Sequence, residues 1–426
     1  MILLMAATAL TLLLLAFPFA VVLIGTAFIT ALIFFPELDV IVLMSQIVSG
    51  IRPATLVCIP MFILAGTIMT SGAAITRLVN MVRSLLGHIP GGLPITTNAA
   101  CTLFGAVSGS TQASVAAIGG AMRPVLLEAG YSSSFSLGLI ISSTNLAWLI
   151  PPSIGFIVYG VATKTSIGQL FLAGIGPGLL IFVMFSIFCF FYSKMKRIGI
   201  SPKASWSERG KSIKRGILIF GFPIIIMGGI YTGFCSPTEA AAFAVLYALL
   251  LEGIAYRSLT FKKLLNHSLS TGVITAVVFI LIGGGQVLAW LLSYGMIPQT
   301  ILPQLFGSAP SALKVIIIIN IIYFLAGMFV DPIVSIFVLS PFLAPYVAQA
   351  GINQVFLGTL VCLQGAFAGS TPPSGVNIFT AMVIFKRPYL ETIREVGPFV
   401  AMMLMVVVIL ILLPEIALFL PAHTMG

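Results

Sequence analysis

Two short stretches of small hydroxyl residues interrupt an otherwise oily chain: Ser108-Gly109-Ser110-Thr111 and Ser370-Thr371-Pro372-Pro373-Ser374. Two apolar runs are also broken by proline, at Asn145-Leu146-Ala147-Trp148-Leu149-Ile150-Pro151-Pro152 and at Gly327-Met328-Phe329-Val330-Asp331-Pro332. Proline donates no N–H and clashes with the preceding turn, so carbonyls just before each break are freed. Hydroxyl and carbonyl oxygens together can replace the hydration shell of a small alkali cation without burying a full negative charge. The first donor set is Ser108, Ser110 and Thr111 with the carbonyls of Ala147, Ile150 and Pro151. The second is Ser370, Thr371 and Pro373 with the carbonyls of Phe329, Val330 and Pro332. Helices starting near Ser114 and Ser374 aim their positive ends at the same region, which favours an anion. The pattern predicts two cation sites around one anion site.

Asp331 is the one acid in the middle of an apolar run, and an ionisable residue there is a functional candidate by default. It could accept hydrogen bonds from substrate hydroxyls, relay a proton, or cap the helix that resumes at Pro332. Ser110 and Ser374 at the helix starts, and Asn145 and Ser153 beside the first break, complete the candidate substrate contacts. Glu239 has a structural reading instead. Ser236-Pro237-Thr238-Glu239 is a capping box with proline at the first helical position. HExxH, GxSxG and GxxxxGK[ST] patterns do not occur, so neither an enzyme nor direct ATP use is expected.

The elements that must hold these residues are two hairpins and two interrupted helices. After the turn Pro90-Gly91-Gly92-Leu93-Pro94, the run Ile95–Val107 leads to the Ser108–Thr111 tip, and a second short run ends at Arg123. Arms of about a dozen residues reach roughly 18 Å, short of a hydrocarbon core of about 30 Å. A re-entrant hairpin is predicted, its irregular tip sheltered by protein or water. Residues 105–114 align without a gap to residues 365–374, with six of ten positions identical. A second hairpin is therefore expected around Ser370-Thr371, and an interrupted helix around Asp331.

The 426 residues are 59% hydrophobic and 7% charged, with a net charge of +10. A soluble domain carries about a quarter charged residues, so a water-soluble protein is excluded. At roughly 20 apolar residues per span, the chain holds about ten to twelve membrane segments. The positive excess is local. Lys194, Lys196, Arg197, Lys203, Arg209, Lys211, Lys214 and Arg215 stand against the single acid Glu208, so eight minus one, or +7 of the +10, lies in one loop. Arg257, Lys262 and Lys263 follow after two apolar runs, Gly216–Phe234 and Ala240–Tyr256. Both clusters belong on the cytoplasmic side, facing lipid headgroups of the bilayer and not nucleic acid. The five cysteines are scattered, with no disulfide or zinc pattern.

The chain reads as one all-α polytopic unit, residues 1–426, built on an inverted repeat. Residues 1–90 supply N-terminal scaffold and interfacial helices. Residues 91–193 form the first transport-domain half with hairpin one. Residues 194–271 contain the cytoplasmic basic loop and scaffold helices, and residues 272–426 the second half with hairpin two. Met1–Phe35 would be about 52 Å long as one helix, so Pro18 is expected to split or kink it. Leu38–Ile51 and Ala74–His88 are amphipathic and expected at the interface.

Several strings together resemble a known family, the large membrane subunit of tripartite ATP-independent periplasmic (TRAP) transporters. They are His88-Ile89-Pro90-Gly91-Gly92, the Ser108–Thr111 tip, Ile150-Pro151-Pro152-Ser153-Ile154 through Tyr159-Gly160, and Ser166-Ile167-Gly168 with Leu170-Phe171-Leu172-Ala173-Gly174. Pro177-Gly178 and Tyr231-Thr232-Gly233-Phe234 with Ser236-Pro237-Thr238-Glu239-Ala240-Ala241 complete the set. The resemblance implies a sodium-coupled, elevator-type importer of an organic acid, sialic acid and C4-dicarboxylates being typical. It implies two partners, a small four-helix membrane subunit on a separate chain and a periplasmic substrate-binding protein, and a bacterial inner-membrane location. It maps a first sodium onto Ser108, Ser110, Ala147, Ile150 and Pro151, and a second onto Phe329, Pro332 and Pro373. A self-sufficient carboxylate carrier of the related ion-transporter superfamily, driven by sodium or protons, is the alternative.

Overall fold

Proline and glycine decide where the helices of this chain stop. The computed structural model describes residues 1–198, 202–307, 310–373 and 375–424. The N-terminal apolar run is two helices, α1 (Ile2–Leu14) and α2 (Phe19–Phe34), with Pro18 as the N-cap of the second. α3 (Val40–Ile51) is capped by Asp39, whose side chain accepts from the Ile41 N–H. A 3-10 turn at Ala54–Val57 runs into α4 (Cys58–Ser71). α5 (Ala74–Leu86) buries Ile75, Leu78, Val79 and Val82 on one face and leaves Arg83 exposed on the other. That is the helical spacing of an amphipathic stretch.

α6 (Gly92–Ser108) has 17 residues, roughly 25 Å. It is longer than the arm expected from Ile95, because Pro94 sits in the first turn, where its missing N–H costs no intrahelical bond. It ends at Gly109, whose φ of 58° is the left-handed conformation that glycine adopts freely. The chain returns through α7 (Thr111–Ser114), a π-helical turn (Val115–Gly119) and α8 (Gly120–Glu128), all packed along α6. This is the first hairpin. α9 (Ser133–Ser143) continues as a 3-10 turn (Thr144–Trp148), and α10 (Ile154–Thr163) resumes after the prolines. This is the first broken helix, and α11 (Ile167–Lys196) follows it.

α12 (Trp206–Gly216) carries the basic loop, and α13 (Gly221–Tyr231) packs against α14 (Pro237–Leu249). The Tyr256 hydroxyl donates to the Arg215 carbonyl at 3.1 Å. The two basic clusters therefore lie at one end, as an even number of spans between them requires. α15 (Phe261–Tyr294) runs 34 residues to the other end, where α16 (Ile297–Phe306) follows. α3 lies along α15, with Gly50 against Gln286. α17 (Ala312–Gly327), α18 (Pro332–Gln349), α19 (Gln354–Ala368) and α20 (Val376–Phe385) make the second half. α21 (Tyr389–Ile393), α22 (Gly397–Leu412) and α23 (Glu415–Thr424) close the chain.

The second half corrects the sequence expectation. α17 and α18 pack side by side, and the Tyr323 hydroxyl lies 2.7 Å from Ser340 Oγ. Seventeen residues of nearly straight helix would hold those two groups about 25 Å apart. The segment around Asp331 is therefore the tip of the second hairpin. α19 and α20 show no comparable packing among the described residues, so residues 369–373 interrupt a helix. The repeat partner of Pro151-Pro152-Ser153 is Pro372-Pro373-Ser374, and both Pro–Pro bonds are cis. Packing repeats accordingly: α6 lies on the first broken helix and α17 on the second, while α18 lies on α10 and α7 on α20. The hairpins enter from opposite ends, because α15 carries the chain across between them.

Among the described residues six helices are long and apolar enough to cross a membrane, or seven if the pair Gly397–Leu412 and Glu415–Thr424, bent by 59°, is one span. The ten to twelve segments counted from composition include the halves of interrupted spans, each too short alone. The hairpin assignment makes a topology prediction. In a Cys235→Ser background, whose other cysteines are buried, Leu313→Cys and Ala350→Cys should both react with an impermeant maleimide from the face opposite the basic loop. Labelling from opposite faces would show a continuous span instead.

Candidate functional site

Both hairpin tips and both helix breaks meet at one cavity of about 590 Å³. Ser108 to Ala113 line it from the first hairpin, Trp148 and Ile154 from the first break, Asp331 to Ile333 from the second hairpin, and Gly365 and Gly369 from the second broken helix. α4 and α15 close it with Gly66, Thr67, Val277 and Leu281. Close backbone approach makes this possible. A Cβ on Gly105 would sit 2.7 Å from the Ala147 Cα, and one on Gly327 would sit 2.9 Å from the Ala368 Cβ. Each hairpin's outgoing arm is thus seated on its own broken helix in the same way.

At the first tip Ser108 is buried, its Oγ 3.4 Å from Ser114 Oγ and accepting from the Ser110 N–H at 3.3 Å. Ser110 caps α7, accepting from the Ala113 N–H at 3.3 Å while donating to Gln112 Oε1 at 3.2 Å. Thr111 Oγ1 donates to the same Gln112 oxygen at 3.3 Å. Ala147 is buried against α6, and Gly109 faces the Pro152 carbonyl. The Ile150 and Pro151 carbonyls accept no hydrogen bond from the described residues. The first donor set is therefore gathered at one junction, with neutral oxygens left over, which fits a sodium ion in kind.

The second set is only partly gathered. Phe329 and Val330 form the second hairpin tip, and their carbonyls accept no hydrogen bond from the described residues. Pro332 opens α18. Ser370 Oγ donates to the Phe367 carbonyl at 3.4 Å, and Thr371 Oγ1 donates to the same carbonyl at 2.7 Å. The Pro373 carbonyl accepts from the Tyr389 hydroxyl at 3.0 Å, and Ser374 lies outside the described residues. Asp331 both caps and lines: its Oδ1 accepts from the Ile333 N–H at 2.8 Å, and the residue is part of the cavity wall.

Asn145 and Ser153 sit away from the cavity wall. Ser153 caps α10, and its Oγ donates to the Trp148 carbonyl at 2.6 Å. Asn145 is a buried link between the two halves. Its Nδ2 donates to Ser370 Oγ at 2.7 Å, and its Oδ1 accepts from Asn377 Nδ2 at 2.9 Å. Sequence reasoning missed Asn377, which shows its role only across 232 residues of separation. It also missed the Trp148 indole, held between α10 and α19. A Cβ on Gly155 or on Gly365 would fall 2.5 or 2.7 Å from its ring. The Glu239 capping box is present as read, with Glu239 Oε2 accepting from the Ser236 N–H at 2.8 Å.

Inverted helical repeats whose hairpins and interrupted helices converge on one central cavity are the architecture of a secondary transporter. The chain belongs to the family described as tripartite ATP-independent periplasmic transporter, DctM component, whose profile matches residues 6–416. It is 51% identical to the ectoine TRAP transporter large permease protein TeaC of Halomonas elongata over 98% of both chains. It is 50% identical to the ectoine/5-hydroxyectoine large permease protein UehC of Ruegeria pomeroyi over 97% of both. The sialic acid large permease protein SiaM of Vibrio cholerae is 33% identical over 89% of both. The solved YdaH transporter of Alcanivorax borkumensis shares the fold, with a TM-score of 0.64 at 13% identity over 87% of this chain and 86% of that one. Members are multi-pass inner-membrane transport proteins, not enzymes, and work with a small membrane subunit and a periplasmic binding protein.

Replacing Asn145 by Ala removes one hydrogen bond each from Ser370 Oγ and Asn377 Nδ2, which keep longer bonds to the Phe367 carbonyl at 3.4 Å and to Thr144 Oγ1 at 3.3 Å. A buried hydrogen bond is worth about 0.5–1.5 kcal/mol, so Asn145→Ala should destabilise by roughly 1–3 kcal/mol, read as a lower midpoint of thermal unfolding in detergent. An unchanged midpoint would mean that the two halves do not depend on this link.

Proposed function

We propose that this chain is the large permease of a sodium-coupled importer whose cargo is a small zwitterion of the ectoine type, a cyclic amidinium bearing a carboxylate. The charge of the cavity carries this reading. Among the described residues Asp331 is the only ionisable one that lines it, with no Lys or Arg beside it. A dicarboxylate or sialic acid would bring negative charge beside that aspartate without a compensating cation in the wall. An amidinium pairs with it instead. At about 4 Å and an effective dielectric of about 20, such a pair is worth roughly 4 kcal/mol before desolvation. The Trp148 face offers a second contact for a flat cation. The ectoine permeases among the relatives, at 50 and 51% identity, support the same cargo over the sialic acid and C4-dicarboxylate classes suggested by the family resemblance.

Sodium coupling rests on neutral oxygens. Ser108 and Ser110 with the carbonyls of Ala147, Ile150 and Pro151 would hold one ion. The Phe329 and Val330 carbonyls, with Pro332, Ser370, Thr371 and Pro373, would supply the second. Bound sodium would draw each hairpin tip onto its broken helix and offset the cargo's carboxylate. The unit carrying the hairpins would then slide as a body past α4 and α15, an elevator movement.

Uptake of labelled ectoine into vesicles, with the small subunit and binding protein present, tests this reading. Uptake should require an inward sodium gradient. Ser108→Ala with Ser110→Ala should raise the sodium half-saturation about tenfold, equivalent to about 1.4 kcal/mol. Asp331→Asn should lower ectoine uptake at least tenfold with sodium half-saturation within twofold of the parent. Uptake indifferent to sodium would remove the coupling, and sialic acid transported as well as ectoine would remove the cargo assignment.

A further inference from the structure

A second cavity, of about 530 Å³, lies at the basic end between α5 and α12. Arg77 and Arg83 enter it from α5 and Arg215 from α12, with Asn80, Ser84 and Ser212 between them. The one acid in its wall, Glu208, is committed to the cap of α12, where its Oε2 accepts from the Ser205 N–H at 2.7 Å. Among the described residues the single side-chain ion pair is Arg387–Glu391, so no carboxylate lies within 4 Å of these three arginines' nitrogens, and they outnumber the one acid in the wall. Arg77 is held in place, its guanidinium 3.7 Å from the centre of the Tyr256 ring. Three guanidinium groups around one cavity repel each other unless an anion sits among them. Their fork of donors matches phosphate oxygens.

The surroundings identify the source of that phosphate. The helix bearing Ser212 and Arg215 continues outward with Ile213, Ile217 and Leu218 exposed at 38%, 51% and 47%. A candidate membrane span, Trp206–Tyr231, starts there. An arginine cavity bordered by lipid-facing side chains at the positive end of a membrane protein suits a headgroup whose acyl chains run down the adjoining helix. We infer that the α5–α12 cavity is a binding site for the phosphate of an anionic phospholipid, of the phosphatidylglycerol type. α5 leads through the turn at Pro90-Gly91 into α6, so the bound lipid ties the arm of the first hairpin to α12.

Native mass spectrometry of the purified chain with added phosphatidylglycerol tests the site. Arg83→Gln with Arg215→Gln should weaken phosphatidylglycerol binding at least tenfold. Lys262→Gln with Lys263→Gln, in the other basic cluster, should leave it within twofold. Phosphatidylcholine should bind the parent at least tenfold more weakly than phosphatidylglycerol. Should the arginine double variant fail to fold, the exposed Arg83→Gln alone should weaken binding at least threefold. Unchanged binding in the arginine variants, or equal binding of phosphatidylcholine, overturns the proposal. Displacement of the lipid by millimolar inorganic phosphate would assign the cavity to a free oxyanion and overturn it equally.

Discussion

Backbone that leaves the helix inside a bilayer loses its hydrogen-bond partners, and hydrocarbon offers no water to replace them. Each unsatisfied group costs several kcal/mol unless protein or a ligand supplies a partner. Among the described residues four such interruptions border the central cavity: the turn after Ser108, the stretch after Trp148, the turn before Pro332 and the stretch after Ala368. The constraint is met by making the interruptions neighbours. Gly105 seats the first hairpin on the first break, Gly327 seats the second hairpin on the second, and residues from all four interruptions line one sheltered cavity. The rest of the architecture encloses that volume, with α4 and α15 as walls and α11, α22 and α23 packed behind.

The same arrangement explains how a cavity with one acid can be selective and still be emptied. Neutral oxygens bind a cation without the permanent charge that would trap it. A lone Asp331 that also caps α18 would, in the proposed reading, link the cargo's charge to the end of a hairpin arm. The Asn145–Ser370–Asn377 cluster joins the two halves directly, so a change at one break is felt at the other. In this account the two hairpins behave as one body, and cargo and cation stabilise the same closed form.

Much of this was legible in the sequence because its causes are local. The first hairpin follows from Pro90–Pro94 and the glycine-serine tip. That the two basic clusters share one end follows from the even number of spans between them, and the Ser236–Glu239 cap follows from spacing. The second hairpin was misplaced for a physical reason. A hairpin tip and a helix break both need small residues and hydroxyls, so residues 365–374 look like the first tip although residues 369–373 belong to a break. The shorter match between Pro151-Pro152-Ser153 and Pro372-Pro373-Ser374 carries the true correspondence. Contacts such as Tyr323 with Ser340, the seating of the half-buried Trp148 against two glycines, and Asn145 with Asn377 arise only from tertiary packing. No single stretch of sequence contains them.

The central claim is that cation and cargo share one cavity and stabilise one closed arrangement of the two hairpins. Binding linkage tests it without transport. Calorimetric titration of the purified chain with ectoine should show an affinity that rises at least tenfold between sodium-free and saturating sodium conditions, with potassium in place of sodium as the control. By reciprocity, ectoine must strengthen sodium binding by the same factor. An ectoine affinity that is the same with and without sodium would contradict the account.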